Sequence, residues 1–176
     1  MKKDEKKLYY TTIKLHGIKI TVYSSLIGIV RIDFGKTLSK KITGKKIRVK
    51  EDDPLLFGVV NELKEYFESR RKSFTVPLDL HGTFFQLRVW NELMKIPYGE
   101  VVAYKDIAER LGNPNFVRAV GRANGTNPIP IIIPCHRVIY SNNELGGYAG
   151  GEKIKRKLLT VEGCLSPNLF EEDGVR

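Results

Sequence analysis

The chain has 176 residues, of which 30 are Lys or Arg and 20 are Asp or Glu, giving a formal net charge of +10. This length accommodates one large domain or two small ones, with a core that needs no disulfides. Two cysteines cannot form a disulfide framework, which favours a reducing compartment. The longest apolar run is too short to cross a bilayer, and no signal peptide is visible. We therefore expect a soluble, cytoplasmic protein. The charge favours an anionic partner, nucleic acid first, although many basic proteins bind none.

The pattern of the first 80 residues predicts a small α/β unit, in which we find no residues that indicate catalysis. Period-2 alternation predicts a β-meander over residues 8–34, and a further short strand is expected at 47–49. Asp53-Pro54 is typical of a helix start, and apolar residues at every fourth position extend that helix to about Arg70. Alternating apolar residues at 74–80 predict another strand, at a sheet edge because a proline interrupts it.

The second half begins near Thr83 and predicts mostly helices. Thr83 and Gln86 fit a capping box at the start of one helix, whose Trp90 is expected in the core. Two short helices follow at 104–111 and 115–124, joined by a tight Gly-Asn-Pro turn. Helices joined in this way resemble a helix-turn-helix, a common pattern that does not by itself establish DNA binding.

The second of these helices combines two arginines with very little side-chain bulk. Arg118 and Arg122 are one turn apart, accompanied by Ala119, Gly121 and Ala123. A glycine inside a helix costs about 1 kcal/mol relative to alanine, and close approach to another surface is one reason to accept that cost. The DNA minor groove, only about 6 Å wide, would suit such a helix. Tight packing against another helix is the alternative.

A reactive thiol is predicted where three apolar residues and a proline precede Cys135, His136 and Arg137. A neighbouring cation or base lowers the pKa of a thiol, so we interpret Cys135 as a nucleophile that ionises readily. Alternatively, Cys135 is a small buried apolar residue, or Cys135 and His136 are two of the ligands of a metal site. Structural zinc needs four ligands, and the 2 Cys and 3 His of the chain lack the paired spacing of a zinc module, so no metal is expected.

A glycine-rich loop follows this segment. Four glycines surround Tyr148 within residues 146–151, and such a backbone can close on a flat ligand. The loop lacks the spacing and strand-helix context of a phosphate-binding fingerprint. A final helix is predicted over 152–162, with Ile154 and Leu158 on its inward face.

These blocks together resemble the O6-alkylguanine-DNA alkyltransferases, also called methylated-DNA–protein-cysteine methyltransferases. They run in order from about Thr83 to Gly163, whereas the first 80 residues match only in general shape. The blocks are Gly99–Tyr104, Arg118–Gly121, Asn127–Pro130, Pro134–Val138, Gly146–Gly151 and Glu162-Gly163. The resemblance implies an α/β N-terminal domain over 1–80, with an antiparallel sheet and a helix. A mostly α-helical C-terminal domain over 83–170 would carry a winged-helix-like helix-turn-helix.

The resemblance also implies DNA repair by a monomer that uses no cofactor; some relatives carry zinc in the first domain, but this sequence shows no such ligand set. The alkyl group of O6-alkylguanine in duplex DNA, with O4-alkylthymine as a further candidate, would pass irreversibly to Cys135, once per molecule. Flipping is needed because the O6 substituent is shielded within the base stack, and Arg118 would fill the gap left by the flipped nucleotide. The implied minor-groove contacts are Arg118, Ala119, Gly121, Arg122 and Ala123.

Five residues would carry out the chemistry. Cys135 would attack the alkyl carbon, Tyr104 would help protonate the departing guanine oxygen, and His136 would act as base toward Cys135 through a water. Glu162 would orient the imidazole, and Asn127 would link the DNA-reading helix to the cysteine turn. Such an acid–imidazole–thiol relay follows the usual logic of nucleophile activation.

The flipped base would enter a pocket between Cys135 and the glycine loop. The implied pocket residues are Val138, Tyr148, Ala149 and Gly150, and the carbonyls of Cys135 and Val138 would accept from the guanine amino group. The family often has a serine at the position of Ala149, where alanine keeps only the backbone contribution. Two other classes stay open: a non-catalytic helix-turn-helix DNA-binding or lesion-recognition protein, and a cysteine hydrolase, which would need a histidine directly against the sulfur.

Overall fold

The computed structural model describes residues 7–35 and 43–165. In chain order, its strands and α-helices are β1 (Lys7–Leu15), β2 (Ile18–Ser24), β3 (Ile29–Phe34), β4 (Lys45–Arg48), α1 (Pro54–Phe67), α2 (Phe84–Met94), β5 (Val102–Ala103), α3 (Tyr104–Arg110), α4 (Val117–Gly125), β6 (Val138–Ile139) and α5 (Glu152–Val161). Two 3₁₀ helices, Pro114–Phe116 and Cys135–Arg137, precede α4 and β6. The ends of the two predicted domains, 1–6 and 166–170, lie outside the described residues. Within the described ranges, no helix has the length and apolarity needed to cross a membrane.

The predicted β-meander is confirmed, but it is part of a mixed sheet. The strand order is β3-β2-β1-β4, with β1–β2 and β2–β3 both antiparallel. The strand expected at 47–49 is observed as β4, which pairs parallel with β1. The expected antiparallel sheet is confirmed for β1, β2 and β3, and β4 adds one parallel pair to it. Alternation along a strand identifies its two faces but not the direction in which it pairs with a neighbour.

Helix α1 packs on this sheet and begins as predicted. Oδ1 of Asp53 accepts from the backbone N–H of Leu55 at 3.0 Å, and Pro54 occupies the first turn, where its missing N–H leaves no partner unsatisfied. The helix ends at Phe67, earlier than the predicted Arg70, because Ser69 adopts a left-handed backbone with φ of 57°. Its buried apolar face covers the sheet residues Ile13, Ile20, Val22 and Ile32.

The segment 74–80 does not form the predicted strand. It makes one isolated bridge to Ile29, whose N–H donates to the carbonyl of Pro77 and whose carbonyl accepts from Asp79, both at 2.9 Å. A longer ladder does not form because a proline has no N–H to donate. The alternating apolar residues still pack against the core, namely Phe74, Val76, Leu78 and Leu80.

Helix α2 begins as the sequence predicts. Thr83 and Gln86 form a reciprocal capping box, in which each side chain accepts from the backbone N–H of the other residue. Trp90 is 2% exposed, and its indole Nε1 donates to the carbonyl of Ala123 at 2.9 Å. The expectation that this tryptophan belongs to the core is confirmed.

A helix-turn-helix and a short parallel strand pair position the predicted site. The chain turns after α3 at Gly112, with φ of 91°, and the predicted helix 115–124 is observed as the 3₁₀ helix Pro114–Phe116 followed by α4. β5 pairs with β6. Because β5 leads directly into α3 while the 3₁₀ helix Cys135–Arg137 leads directly into β6, this pairing brings Tyr104 to the cysteine segment.

The two halves of the chain share one hydrophobic core. The buried cluster includes Ile32 of β3 and Leu63 of α1 together with Trp90 of α2 and Ile133. The backbone N–H of Ile32 donates to the carbonyl of Pro128 at 2.9 Å, which ties the sheet to the segment before the cysteine. The division into domains 1–80 and 83–170 stays a prediction, and the described residues of the two halves pack through a continuous apolar contact.

Candidate active site and nucleic-acid interface

The predicted nucleophile follows a tight, strained turn. Ile131 has a φ of 77°, a conformation strongly disfavoured for a β-branched residue. Asn127 braces this turn, since its Nδ2 donates to the carbonyl of Ile133 at 2.8 Å and its Oδ1 accepts from the N–H of Ile129 at 3.0 Å. Asn127 also closely follows α4, so it connects that helix to the turn from which Cys135 emerges.

The environment of Cys135 favours the neutral thiol. The residue is 2% exposed, and burial raises the pKa of its thiol to about 11. A hydrogen bond from Asn127 and the nearby charge of Lys155 lower that pKa, but burial outweighs both. The expectation that this thiol ionises readily is therefore wrong for the resting protein. A base must remove the thiol proton before the sulfur can attack.

Lys155 is a buried charged residue that the helical pattern did not reveal. Its Nζ donates to the carbonyl of Val138 at 2.6 Å and to the carbonyl of Leu145. Burial lowers the pKa of Lys155 to about 8, and the proximity of Cys135 opposes that shift. The available signal was its spacing, because a lysine three residues before the buried Leu158 lies on the same face of α5.

His136 and Glu162 form a hydrogen-bonded pair with no solvent exposure of either side chain. Nε2 of His136 lies 2.7 Å from Oε1 of Glu162. Because an ionised carboxylate only accepts, we assign the hydrogen to Nε2, which leaves Nδ1 with a lone pair and no hydrogen-bond partner among the described residues. Burial lowers the pKa of His136, and the hydrogen bond with Glu162 opposes that shift. The result is a neutral imidazole that can accept a proton at Nδ1.

Further donors converge on the carboxylate of Glu162. Arg137 donates from Nε to Oε2 at 2.8 Å and from Nη2 to Oε1 at 3.0 Å. The hydroxyl of Tyr66 donates to Oε1 at 2.6 Å, and the N–H of Gly99 donates to Oε2 at 3.3 Å. Burial would raise the pKa of Glu162, but hydrogen bonds from His136 and Arg137 outweigh it and lower the pKa to about 2. The carboxylate is therefore ionised at neutral pH.

Helix α4 presents an open, arginine-bearing face beside the cysteine segment. Arg118 and Arg122 are exposed and, with Gly121 and Gly125, line one wall of a cavity of about 630 Å³. A side-chain carbon built at either glycine has no neighbour within 4 Å. The alternative explanation, that these glycines serve tight helix packing, is therefore wrong, and this face of α4 is accessible to a ligand.

Two alanines predicted to face DNA take different positions on α4. Ala119 is half-buried near the arginines. Ala123 is 3% exposed and lies in the core, where its carbonyl accepts from Trp90. The C-terminal end of α4 packs against α2, so the side chain of Ala123 does not lie on the open face.

The cavity is also lined by two neighbouring tyrosines, whose ring planes are inclined at 45° to each other. The rings of Tyr104 and Tyr140 have centroids 5.4 Å apart, and both residues line the cavity. Burial raises the pKa of Tyr104, and the proximity of Tyr140 and Cys135 adds to that effect, so its hydroxyl keeps its proton at neutral pH. Gly146 approaches these rings closely, because an added side-chain carbon would lie 3.1 Å from Tyr140.

Only part of the predicted pocket faces the cavity. Tyr148 and Ala149 line it, and the hydroxyl of Tyr148 is buried without a hydrogen-bond partner in the described chain. Gly150 instead packs against the first half of the protein, where an added side-chain carbon would lie 2.7 Å from the ring of Phe34. Val138 is fully buried, and its carbonyl is the one that accepts from the lysine of α5.

Several residues that line the cavity are neighbours of Cys135. Asn124, which was not predicted as a site residue, lines the cavity, and its Nδ2 donates to the carbonyl of Cys135 at 3.5 Å. Tyr104 and Tyr148, which also line the cavity, are close enough to Cys135 for its charge to affect their ionisation. The buried Cys135 is therefore a neighbour of three residues that line the cavity, one of which, Asn124, lies on the arginine-bearing helix.

Two family models match the chain over most of its length. The model described as "6-O-methylguanine DNA methyltransferase, ribonuclease-like domain" matches residues 8–80. The model described as "6-O-methylguanine DNA methyltransferase, DNA binding domain" matches residues 84–164. These matches meet between 80 and 84, where the sequence predicts the boundary between two domains.

Individual proteins of the same description are also similar to this chain. It is 39% identical over 170 residues to the inducible methylated-DNA–protein-cysteine methyltransferase of Bacillus subtilis, covering 92% of this chain and 94% of that protein. It is 52% identical over 116 residues to the methylated-DNA–protein-cysteine methyltransferase of Mycobacterium tuberculosis, and the match covers 65% of this chain and 70% of that protein. The crystal structure of the M. tuberculosis O6-methylguanine methyltransferase superposes with a TM-score of 0.79 at 38% identity, covering 93% of this chain and 99% of that one. A crystal structure of M. tuberculosis OGT in complex with DNA also superposes with a TM-score of 0.79. Its sequence is 39% identical, and the match covers 88% of this chain and 93% of that one.

Proposed function

Because this chain belongs to the 6-O-methylguanine DNA methyltransferase family, we propose that it repairs O6-alkylguanine in duplex DNA by transferring the alkyl group to its own Cys135. The observation that carries this proposal is a buried thiol, at Cys135, that directly precedes the histidine of a buried histidine–glutamate pair and whose backbone is held by Asn124, a residue lining the cavity beside the arginine-bearing helix. A regulator that only binds DNA needs no such pair behind a buried thiol.

Binding to DNA uses the open face of α4. Its low bulk at Gly121 and Ala119 lets the helix backbone approach the minor groove, and Arg122 supplies positive charge toward the phosphates. Arg118, exposed at the mouth of the cavity, takes the place of the flipped nucleotide in the stack. The flipped alkylguanine then occupies the cavity against Tyr148, with its O6 substituent directed toward the thiol.

Transfer begins when the thiol proton of Cys135 passes through a water to Nδ1 of His136, which Glu162 holds in the correct tautomer. The sulfur attacks the alkyl carbon in line, so that the S–C bond forms as the C–O6 bond breaks. The electron pair of the broken bond stays on the guanine, which takes a proton from Tyr104. His136 still holds the proton that left the thiol. When this proton passes to Tyr104, it replaces the one given to guanine, and the site has no net change in charge. The cation of Lys155 stabilises the transient thiolate.

The product is a thioether, which no thiol reductant reverses, so each molecule acts once and needs no cofactor.

We also propose that the protein acts as a monomer and that it works in the cytoplasm. Cys135 and Cys164 are both free thiols, which a reducing compartment such as the cytoplasm favours. Analytical ultracentrifugation with and without a methylated duplex tests the oligomeric state.

The test of this function is a titration of purified full-length protein against a duplex containing a single O6-methylguanine. Loss of the lesion should be stoichiometric, reaching one methyl group removed per protein molecule and then stopping. Continued turnover would contradict a self-alkylating mechanism. Tight binding with no loss of methyl would favour the alternative of a non-catalytic lesion-recognition protein.

A further inference from the structure

Tyr66 lies in α1, in the half of the chain where the sequence indicates no chemistry, yet it reaches the reaction network. Its side chain is fully buried. Its hydroxyl donates to Oε1 of Glu162 at 2.6 Å and lies 3.5 Å from Nε2 of His136. The same carboxylate oxygen therefore holds both the tyrosine hydroxyl and the imidazole that is to act as base.

The packing of this ring does not by itself require a hydroxyl. Aromatic neighbours surround it, with ring centroids 5.4 Å away for Phe67, 5.5 Å for Phe74 and 6.0 Å for Tyr98. A phenylalanine would keep these contacts and avoid burying a polar group. What the hydroxyl adds is a charge-assisted hydrogen bond to Glu162, a strong type of interaction in a site closed to solvent.

We propose that Tyr66 is a positioning residue for alkyl transfer: its hydroxyl fixes Oε1 of Glu162 and thereby sets the orientation and basicity of His136. The inference rests on the proposed function, in which His136 accepts the thiol proton. It gives the N-terminal half of the chain a direct part in the reaction, in addition to its structural support of the second half.

The direction of the effect follows from how the carboxylate charge is shared. The hydroxyl draws negative charge on Oε1 away from His136. Without it, Oε1 would stabilise an imidazolium more strongly, and the pKa of His136 would rise. The other titratable or charged groups that interact with Tyr66, His136 or Glu162 are Arg137, Lys155, Tyr98, Tyr148 and Cys164, and Cys135 directly precedes His136 in the chain. None of them is changed by replacing Tyr66 with phenylalanine.

Burial and the neighbouring Glu162 raise the pKa of Tyr66 well above its usual value, so its hydroxyl remains a donor throughout the pH range in which histidine titrates. Tyr98 provides a matched control. Its hydroxyl donates to the carbonyl of Val161 at 2.7 Å, one residue away from Glu162, without contacting the carboxylate. Tyr98→Phe therefore removes a hydroxyl beside the same helix end and leaves the Glu162 network intact.

The experiment measures the single-turnover rate of methyl transfer from a methylated duplex between pH 5 and 9 for wild type, Tyr66→Phe and Tyr98→Phe. Rates are normalised to the fraction of molecules that become methylated at completion, so partly unfolded protein does not enter the comparison. Tyr66→Phe should slow transfer about tenfold at pH 6, a part of what a positioned base contributes. It should also move the midpoint of the acidic limb upward by about half a pH unit. Tyr98→Phe should change neither.

A second measurement guards against an effect of packing alone. In a Glu162→Gln background, adding Tyr66→Phe should produce no further change in the normalised rate, because both act through the same carboxylate. Fully additive losses, or an acidic limb that coincides for wild type and Tyr66→Phe, would overturn the role of Tyr66 while leaving alkyl transfer intact. Absence of methyl transfer by the wild-type protein would instead refute the proposed function itself.

Discussion

Nε2 of His136 and Oε1 of Glu162 lie 2.7 Å apart in a site where neither side chain meets solvent. This contact fixes the imidazole so that Nδ1, rather than Nε2, is the nitrogen available to accept a proton. The buried thiol of Cys135, whose pKa is raised to about 11, needs such a base nearby. In the mechanism we propose, the pair supplies the base that lets a protonated cysteine act as a nucleophile near neutral pH.

Replacing Glu162 with glutamine should both slow the reaction and destabilise the protein. The variant leaves the guanidinium of Arg137 buried without its counter-charge, which should lower the free energy of unfolding by about 3 kcal/mol. Loss of the charge behind His136 should slow transfer about 100-fold. Urea unfolding and single-turnover rates measure the two effects. The control is Glu152→Gln, which removes an exposed carboxylate paired with Arg156 and should cost less than about 0.5 kcal/mol.

The same carboxylate should make stability depend on acid pH. The pKa of Glu162 is lowered from 4.5 to about 2 in the folded protein, so its contribution is fully present above pH 4.5 and is lost as pH falls toward 2. The shift corresponds to about 3 kcal/mol. At pH 3 the folded pKa is not yet reached, so about 2 kcal/mol of this contribution should be lost between pH 7 and pH 3. Urea unfolding at pH 7, 5, 4 and 3 should therefore show a fall in stability that is smaller by about 2 kcal/mol in Glu162→Gln. Identical pH dependence in both proteins would show that Glu162 is not the group responsible.

Lys155 should favour the thiolate of Cys135 through its charge. In a background of Cys164→Ser, Lys155→Met should raise the pKa of Cys135, measured by the pH dependence of its reaction with iodoacetamide. Methyl transfer should slow about tenfold, equivalent to one unit of thiol pKa. Lys153→Met changes the same charge at an exposed position of α5 and should leave both quantities unaltered. Equal effects of the two variants would assign the result to net charge alone.

Arg118 should matter for flipping and not for the chemical step. Arg118→Ala should slow repair of duplex DNA at least tenfold more than it slows reaction with the free base O6-methylguanine, because only the duplex requires a nucleotide to leave the stack. Arg110→Ala removes an equally exposed arginine that does not line the cavity, and it should affect the duplex reaction only weakly. Equal losses on both substrates for Arg118→Ala would contradict the role of Arg118 in flipping.

Local features of the fold could be predicted because they depend on neighbouring residues. The helix starts at Asp53 and Thr83 follow from side chains that accept from the N–H groups of the next turn. Pairing direction could not be predicted, because the parallel contact of β4 with β1 depends on the path of the whole chain. The segment around Pro77 has the alternation of a strand, but its missing N–H limits pairing to one bridge.

Residues of the candidate site that are adjacent in sequence can be recognised from the residues themselves, distant ones such as Tyr104 and Glu162 came only from the family resemblance, and Tyr66 and Lys155 were missed. Cys135 and His136 are adjacent, and their chemistry is visible in the sequence. Tyr66 is separated by 96 residues from Glu162, and only the packing of α1 against the end of α5 brings them together. The pKa of the thiol was also misjudged, because the degree of burial is a property of the folded chain.

The most direct test of the central claim, that Cys135 receives the alkyl group, is peptide mass mapping after incubation with a duplex containing O6-methylguanine. Wild type and Cys135→Ser are compared, with binding to the same duplex measured in parallel. We expect one added methyl group in the wild-type protein, located on the peptide that contains Cys135, and none in the variant, although the variant still binds the lesion. Methylation of another residue, or of the Cys135→Ser variant, would contradict the central claim.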